Sequence, residues 1–167
     1  MQLCGSGVSL QVGDNLERAE RAQLIEELSG QRGGTFAFVH ALIPATLVES
    51  TRTLQRRRLH RLAAAAIETR RPDDFEALAY HYNQAGKAEK AADYSLQAGD
   101  RARGLYAYAE AGQHYARALE VLAQLPDTEE HRRQRVDALL ALSLSAWRTD
   151  SLAHSLARLG EAERLAQ

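Results

Sequence analysis

The sequence predicts an all-α protein: a superhelix of antiparallel helical hairpins, with one short strand in a small N-terminal region. Three observations point there. Alanine and leucine dominate a chain of 167 residues in which apolar types make up 45%, charged types 26%, and proline occurs only three times, the composition of a helical protein. Small and aromatic residues between Phe75 and Ala98 fall at the spacing of two closely packed helices. Elsewhere apolar residues return every three or four positions, except over residues 35–39. The length suits one ordinary domain or two small ones and would bury roughly two thirds of the unfolded chain's surface.

Residues 1–13, MQLCGSGVSLQVG, are glycine-rich and weakly patterned, which predicts a flexible lead-in. Asp14, with Glu17 three residues on, is a good N-cap for an amphipathic helix carrying Leu16, Ala19, Leu24, Ile25 and Leu28 and ending at Gly30. Gly33 and Gly34 punctuate the chain before Thr35-Phe36-Ala37-Phe38-Val39, whose aromatic and β-branched alternation predicts a strand. A lone strand has little here to pair with. Pro44 fits the first turn of the next helix, and in the stretch through Glu68 the residues Leu59, Leu62, Ala63, Ala66 and Ile67 are expected to form one buried stripe. Helix, glycine turn, strand and helix make residues 14–71 a winged-helix-like remnant with an arginine-rich linking helix. Arg70-Arg71-Pro72-Asp73 breaks the pattern, since proline disfavours helix at the preceding residue and Asp73 or Asp74 can cap a new one. The domain boundary is placed there, with helical repeats over 72–167.

In the first hairpin Phe75, Leu78, Ala79 and Tyr82, then Gly86, then Ala91 and Ala98, match the first helix, turn and second helix of a tetratricopeptide (TPR) repeat. The physics requires those types: the alanines let two helices approach closely, and the rings fill the space between neighbouring hairpins. A second unit has Ala111, Tyr115 and Ala118 at second-helix spacing, its first helix compressed into residues 99–105 or fused with the preceding one. A third takes Leu139, Leu142, Ser143 and Ala146 as its first helix, Asp150 at the turn, and Ser155, Leu159 and Ala162 as its second. No polar capping helix is recognisable before Gln167. Stacked repeats need caps, so the array is expected to continue in a parent protein or to meet a partner at its edge. Apolar edges are expected at Phe36 to Val39 and Leu152 to Leu159, and a two-fold homodimer is the simplest cover.

Net charge is −1 and the sequence pI about 6.6, so no global field recruits nucleic acid or an anionic membrane. Cys4 is the only cysteine, which excludes an internal disulfide and a thiolate cluster and suits a reducing cytoplasm. No apolar run approaches the ~18 residues of a membrane span, and Met1 to Val12 lacks the pattern of a secretory signal. A cytoplasmic protein is expected. His40, His60, His81, His114, His131 and His154 contain no pair at helical ligand spacing, no phosphate loop of the G-x-x-x-x-G-K-[ST] type occurs, and Ser143, Ser145, Ser151 and Ser155 lie in no G-x-S-x-G elbow. No catalytic residue, cofactor site or metal site is expected, and the chain is read as not an enzyme.

Recognition residues come instead from the aromatic and basic sets. Among Tyr80, Tyr82, Tyr94, Tyr106, Tyr108 and Tyr115, the repeat positions Tyr82 and Tyr115 should be buried, leaving Tyr80, Tyr106 and Tyr108 free to face a groove. His81 stands beside Tyr80 and could line that groove or simply pack. Trp147 is expected to pack or to mark an exposed edge. Arg57 and Arg61, in the Arg56 to Arg61 cluster, share a helix face that suits a phosphate or acidic partner, or plain solvation. The run His131 to Arg135 is offset by Asp127, Glu129 and Glu130.

Taken in order, FAFVHALIPATLVESTRTLQRRRLHRLAAAAIE and ALAYHYNQAGKAEKAADYSLQAGDRARGLYAYAEAGQHYARALEVLAQLPDT resemble a junction in bacterial STAND-class signalling ATPases and LuxR- or cyclase-type regulators. There a winged-helix segment with an F-x-F-x-H-A-L-I pattern precedes an arginine-rich helix and a TPR array. The matching residues are Phe36, Phe38, His40, Ala41, Leu42 and Ile43, then Arg56, Arg57, Leu59 and His60, then Tyr82, Ala85, Gly86, Ala91, Ala98, Gly99, Tyr108, Ala109, Glu110 and Ala111. The resemblance implies a sensor or scaffold of a multidomain signalling or transcription regulator, binding a peptide or another domain of its parent. It also implies an NTPase module upstream and an output domain elsewhere. The alternative is a winged-helix nucleic-acid binder using the Arg56–Arg61 helix.

Overall fold

In the computed structural model, which describes residues 6–28, 35–146 and 151–166, most of the described residues are helical, as the composition predicts. The chain divides into two units, Met1–Arg52 and Thr53–Gln167.

The first unit runs α1 (Ser6–Arg21), β1 (Ile25–Leu28), β2 (Thr35–Phe38) and α2 (Leu42–Ser50). Here two expectations are corrected. Residues 6–13, expected as flexible lead-in, are the first half of α1, which passes through Gly13. The helix placed from Asp14 to Gly30 stops at Arg21. Gln23 takes a positive φ of 56°, with the Leu24 N–H donating to the Ala19 carbonyl (2.9 Å), so the chain turns and enters a strand. The single strand therefore has a partner: β1 pairs antiparallel with β2, Ile25 opposite Phe38 and Leu28 opposite Thr35. Ile25 and Leu28 are three apart, which fits a helix as well as a strand, and in the paired strand Ile25 is buried opposite Phe38. Pro44 lies in the first turn of α2, where its missing N–H costs nothing. Gly30, Gly33 and Gly34 lie outside the described residues.

The second unit is a succession of helices, α3 (Thr53–Arg70), α4 (Phe75–Gln84), α5 (Ala88–Gly104), α6 (Tyr108–Leu122), α7 (Glu129–Ala146) and α8 (Leu152–Ala166), each packed on the next. The arginine-rich helix, assigned by sequence to residues 14–71, belongs with this unit, because α3 packs on α4. Its expected stripe is also corrected: Leu59 and Leu62 are more than half exposed, while Ala64 is buried and Ile67 packs against the core. The face turned inward carries His60, Ala64, Ile67 and Glu68, whose hydrogen bonds to α4 and α5 fix the rotation of the helix.

Helix α4 is capped by Asp74, whose Oδ1 accepts from the Ala77 N–H (3.4 Å) and whose other oxygen pairs with Arg71 (3.1 Å). At its far end Gly86 has φ +71° and the Lys87 N–H donates to the Tyr82 carbonyl (2.9 Å), a left-handed cap. The end of α5 is built the same way without glycine: Tyr106 has φ +62°, and the Ala107 N–H donates to the Ala102 carbonyl (2.9 Å). This hides the repeat in the sequence. Residues 99–105, expected as a compressed first helix, are the last turns of α5 and its cap. Helix α6 is instead the first helix of a second hairpin. From position 75 to position 108 is a 33-residue step, over which Phe75, Leu78, Ala79 and Tyr82 of α4 become Tyr108, Ala111, Gly112 and Tyr115 of α6.

One core cluster joins Ala64, Leu78, Tyr82, Ala91, Ala92, Val121 and Leu122, and a second joins Ala102, Ala111 and Tyr115. Ala98 and Ala118 are buried too, whereas Phe75 is half-buried and stacks on Tyr94 at 6.4 Å. Gly86 is exposed beside the Arg57 guanidinium. Helices α7 and α8 are linked by Arg135 to Glu161 (3.3 Å). Leu152, Leu156 and Leu159 of α8 are exposed, as are Phe38 and Val39 in the first unit. Trp147 and Asp150 lie outside the described residues.

Candidate functional site

The first helices of the two hairpins, α4 and α6, face one another across a groove of about 660 Å³, with Ser95 of α5 in its wall. Short side chains at Ala77 and Ala79 leave the space; Tyr80 and His81 line it from α4, and His114, Arg117 and Glu120 from α6. A smaller recess of about 390 Å³ shares Asp74, Glu76 and His114 with it and adds Phe75, Arg101 and Glu110. The Ser95 hydroxyl is spent on the Ala91 carbonyl (2.7 Å). Arg71 is paired with Asp74, and Arg101 donates to the Asp73 carbonyl while lying over the Phe75 ring at 6.0 Å.

On the side of α3, the groove-lining His81 pairs with His60. His60 Nδ1 and His81 Nδ1 are 2.9 Å apart, so one donates and the other accepts, which requires an unprotonated nitrogen on at least one ring. The Tyr80 ring meets both edge-on, at 5.7 and 5.2 Å. Burial lowers both pKa values; Arg56 lowers that of His60 further, and His60 lowers that of His81 against a smaller opposite pull from Asp74. Because the unfolded chain binds protons at the ordinary value of 6.5 while the folded chain resists them, the pair's contribution to stability is complete above that pH. It is lost as pH falls through the lowered folded values. Urea midpoints should therefore drop between about pH 7 and pH 5, and His60→Phe should flatten that drop; identical profiles for the two proteins would contradict the pair.

A second polar knot ties α3 to the first hairpin. Lys90 Nζ donates to Glu68 Oε1 (2.8 Å) and to Tyr82 Oη (3.0 Å), and the Tyr94 hydroxyl donates to the same Glu68 oxygen (2.7 Å). The Tyr82 and Tyr94 rings stack at 5.7 Å, with Lys90 Nζ 4.5 Å from the Tyr82 centroid. The Lys90 hydrogen bond, with help from the two tyrosines, holds the Glu68 carboxyl down at about 2, and burial with the bond to Glu68 pushes Tyr94 up to about 12. Glu68 in turn raises the Lys90 ammonium pKa. A lysine held protonated and a carboxylate held ionised have no proton to exchange near neutrality, so this knot is structural.

The sequence-predicted partner residues separate into three places. Tyr80 and His81 line the groove. Tyr106 and Tyr108 sit at the turn between α5 and α6, exposed, with rings edge-on at 6.3 Å, and do not line it. Arg57 lies by the Gly86 turn, and Arg61 lines a separate recess of about 600 Å³ with Tyr82 and Lys90. Sequence reasoning missed His114 and Arg117. The signal was present: His114 follows His81 by the same 33-residue step, the same place in the second hairpin's first helix. Among the described residues no three histidine, cysteine, aspartate or glutamate side chains are placed to hold a metal ion, and no helix is long and apolar enough to cross a membrane. No family model matches the chain, and neither a curated protein nor a solved structure matches it.

Proposed function

We propose that this protein is a non-catalytic interaction module, a TPR-like superhelix whose α4–α6 groove receives a peptide or domain of a partner. The observation that carries the reading is the groove's position: it opens between equivalent helices of successive hairpins, with His81 and His114 at matching positions on its two walls. The 33-residue step and the small residues at the helix crossings support the TPR-like architecture. A place in a multidomain signalling or transcription regulator rests on the order of the FAFVHALI segment, the arginine-rich helix and the hairpins. Recognition would come from groove burial, with Tyr80 supplying area and a hydroxyl.

The test is site-specific capture. With the photo-reactive residue p-benzoylphenylalanine at position 80, irradiation in a lysate of the organism that makes the protein should yield a discrete adduct that excess unlabelled protein suppresses. The same group at Glu163, exposed on α8, should yield none. Equal adducts at both positions, or none at either, would refute the groove as the docking site.

A further inference from the structure

We infer that the segment received by the α4–α6 groove carries arginine, its guanidinium groups meeting the carboxylates of Glu76 and Glu120 along the groove; this rests on the groove reading above. The argument begins with the charges. Asp74 is neutralised by Arg71, and Arg101 stands at Asp73, bonded to its carbonyl. What remains along the two adjoining recesses is Glu76, Glu110 and Glu120 against one guanidinium, Arg117. Among the described residues none of those four side chains makes an ion pair. The field is net negative, and it disfavours acidic segments, phosphates and nucleic-acid backbones by like-charge contact.

The second observation is independent of charge. His114 is only 6% exposed, lines both recesses, and makes no side-chain hydrogen bond within the described residues. Its ring nitrogens are not among the enclosed polar atoms that lack a partner, so they open onto the water of the groove, and a group entering there can take that water's place. Imidazole can offer an acceptor nitrogen beside an N–H donor. Lining the same space are acceptor-only carboxylates and the half-exposed ring of Tyr80. Acceptors, negative charge and an aromatic face together suit a planar cation with several donors. Guanidinium fits that set better than ammonium, because it stacks on a ring while its fork of N–H groups engages a carboxylate in two parallel bonds.

The experiment is fluorescence anisotropy on the full chain with a fluorescein-labelled Gly-Arg-Gly-Arg-Gly peptide and two companions in which glutamine or glutamate replaces both arginines. Only the arginine peptide should bind, more weakly as salt rises, and its addition should move the His114 ring-nitrogen chemical shifts. The E76Q/E120Q double variant, changed only at exposed positions, should lose about tenfold in affinity, as removal of rim charges does; E163Q should lose none. The inference is overturned if the arginine peptide fails to bind at about millimolar concentration, if either companion binds as well, or if the double variant is unaffected. Loss of the position-80 photo-adduct under saturating arginine peptide supports both readings. An adduct that persists refutes the cationic segment and leaves the docking site standing.

Discussion

Gly99→Ala should destabilise the protein by about 1–3 kcal/mol, although alanine is the better helix former by about 1 kcal/mol. Gly99 is buried within α5, and a Cβ there would lie 2.6 Å from Cε1, 2.8 Å from Cδ1 and 2.9 Å from Cζ of Tyr115. The ring cannot yield cheaply: Tyr115 is among the largest fully buried side chains, and its hydroxyl is held by Asp100 Oδ1 at 2.7 Å. Helices α5 and α6 must separate instead, opening the second core cluster. Gly160 in α8 is the control, since a Cβ there meets nothing within 4 Å and Gly160→Ala should gain up to about 1 kcal/mol. Urea midpoints decide the matter. If both substitutions stabilise, the close approach of α5 and α6 at Gly99 is wrong.

Glu68→Ala should cost about 2 kcal/mol at neutral pH and act mainly on α3. It removes one acceptor that serves both Lys90 and Tyr94; hydrogen bonds to charged groups contribute about 1.5–3 kcal/mol each, discounted here because Lys90 is half exposed. The pH sign follows from the depressed carboxyl: from an ordinary value of 4.5 to about 2, it contributes stability that is whole above 4.5 and disappears as pH falls toward 2. The wild-type and variant curves should therefore converge at the acid end. Hydrogen exchange adds a local readout, with amides of residues 53–70 losing protection in the variant while those of α6 hold theirs. Unchanged stability at neutral pH would show that the knot contributes nothing.

Half of the candidate site was legible in the chain. Tyr80 and His81 stand on the helix whose apolar positions, Phe75, Leu78, Ala79 and Tyr82, are the clearest pattern in the sequence, so the face they share could be read from spacing. His114 and Arg117 were not, because the turn before α6 lacks a glycine. Tyr106 holds the left-handed position that Gly86 marks openly in the first hairpin, and a tyrosine gives no sign of a helix end. With that boundary unseen, Ala111, Tyr115 and Ala118 were assigned to a second helix, which turned the opposite wall of the groove away.

The sequence by itself determined the local features: predominantly helical structure, a cap at Asp73 or Asp74, the Gly86 turn, and the Ala91 and Ala98 face of α5. Each depends on residues within one or two turns of each other, where periodicity and backbone preference suffice. Tertiary structure decided the rest. Ile25 to Leu28 became a strand because Phe36 and Phe38 were across from it. Helix α3 buried Ala64 and Glu68 rather than Leu59 and Leu62 because bonds from His81, Lys90 and Tyr94 set its rotation. The groove formed because α4 and α6, whose positions 81 and 114 no local pattern connects, were brought face to face. Contacts between residues far apart in the chain do not repeat at a helical or strand period, so their energies select among local alternatives that the sequence leaves nearly equal.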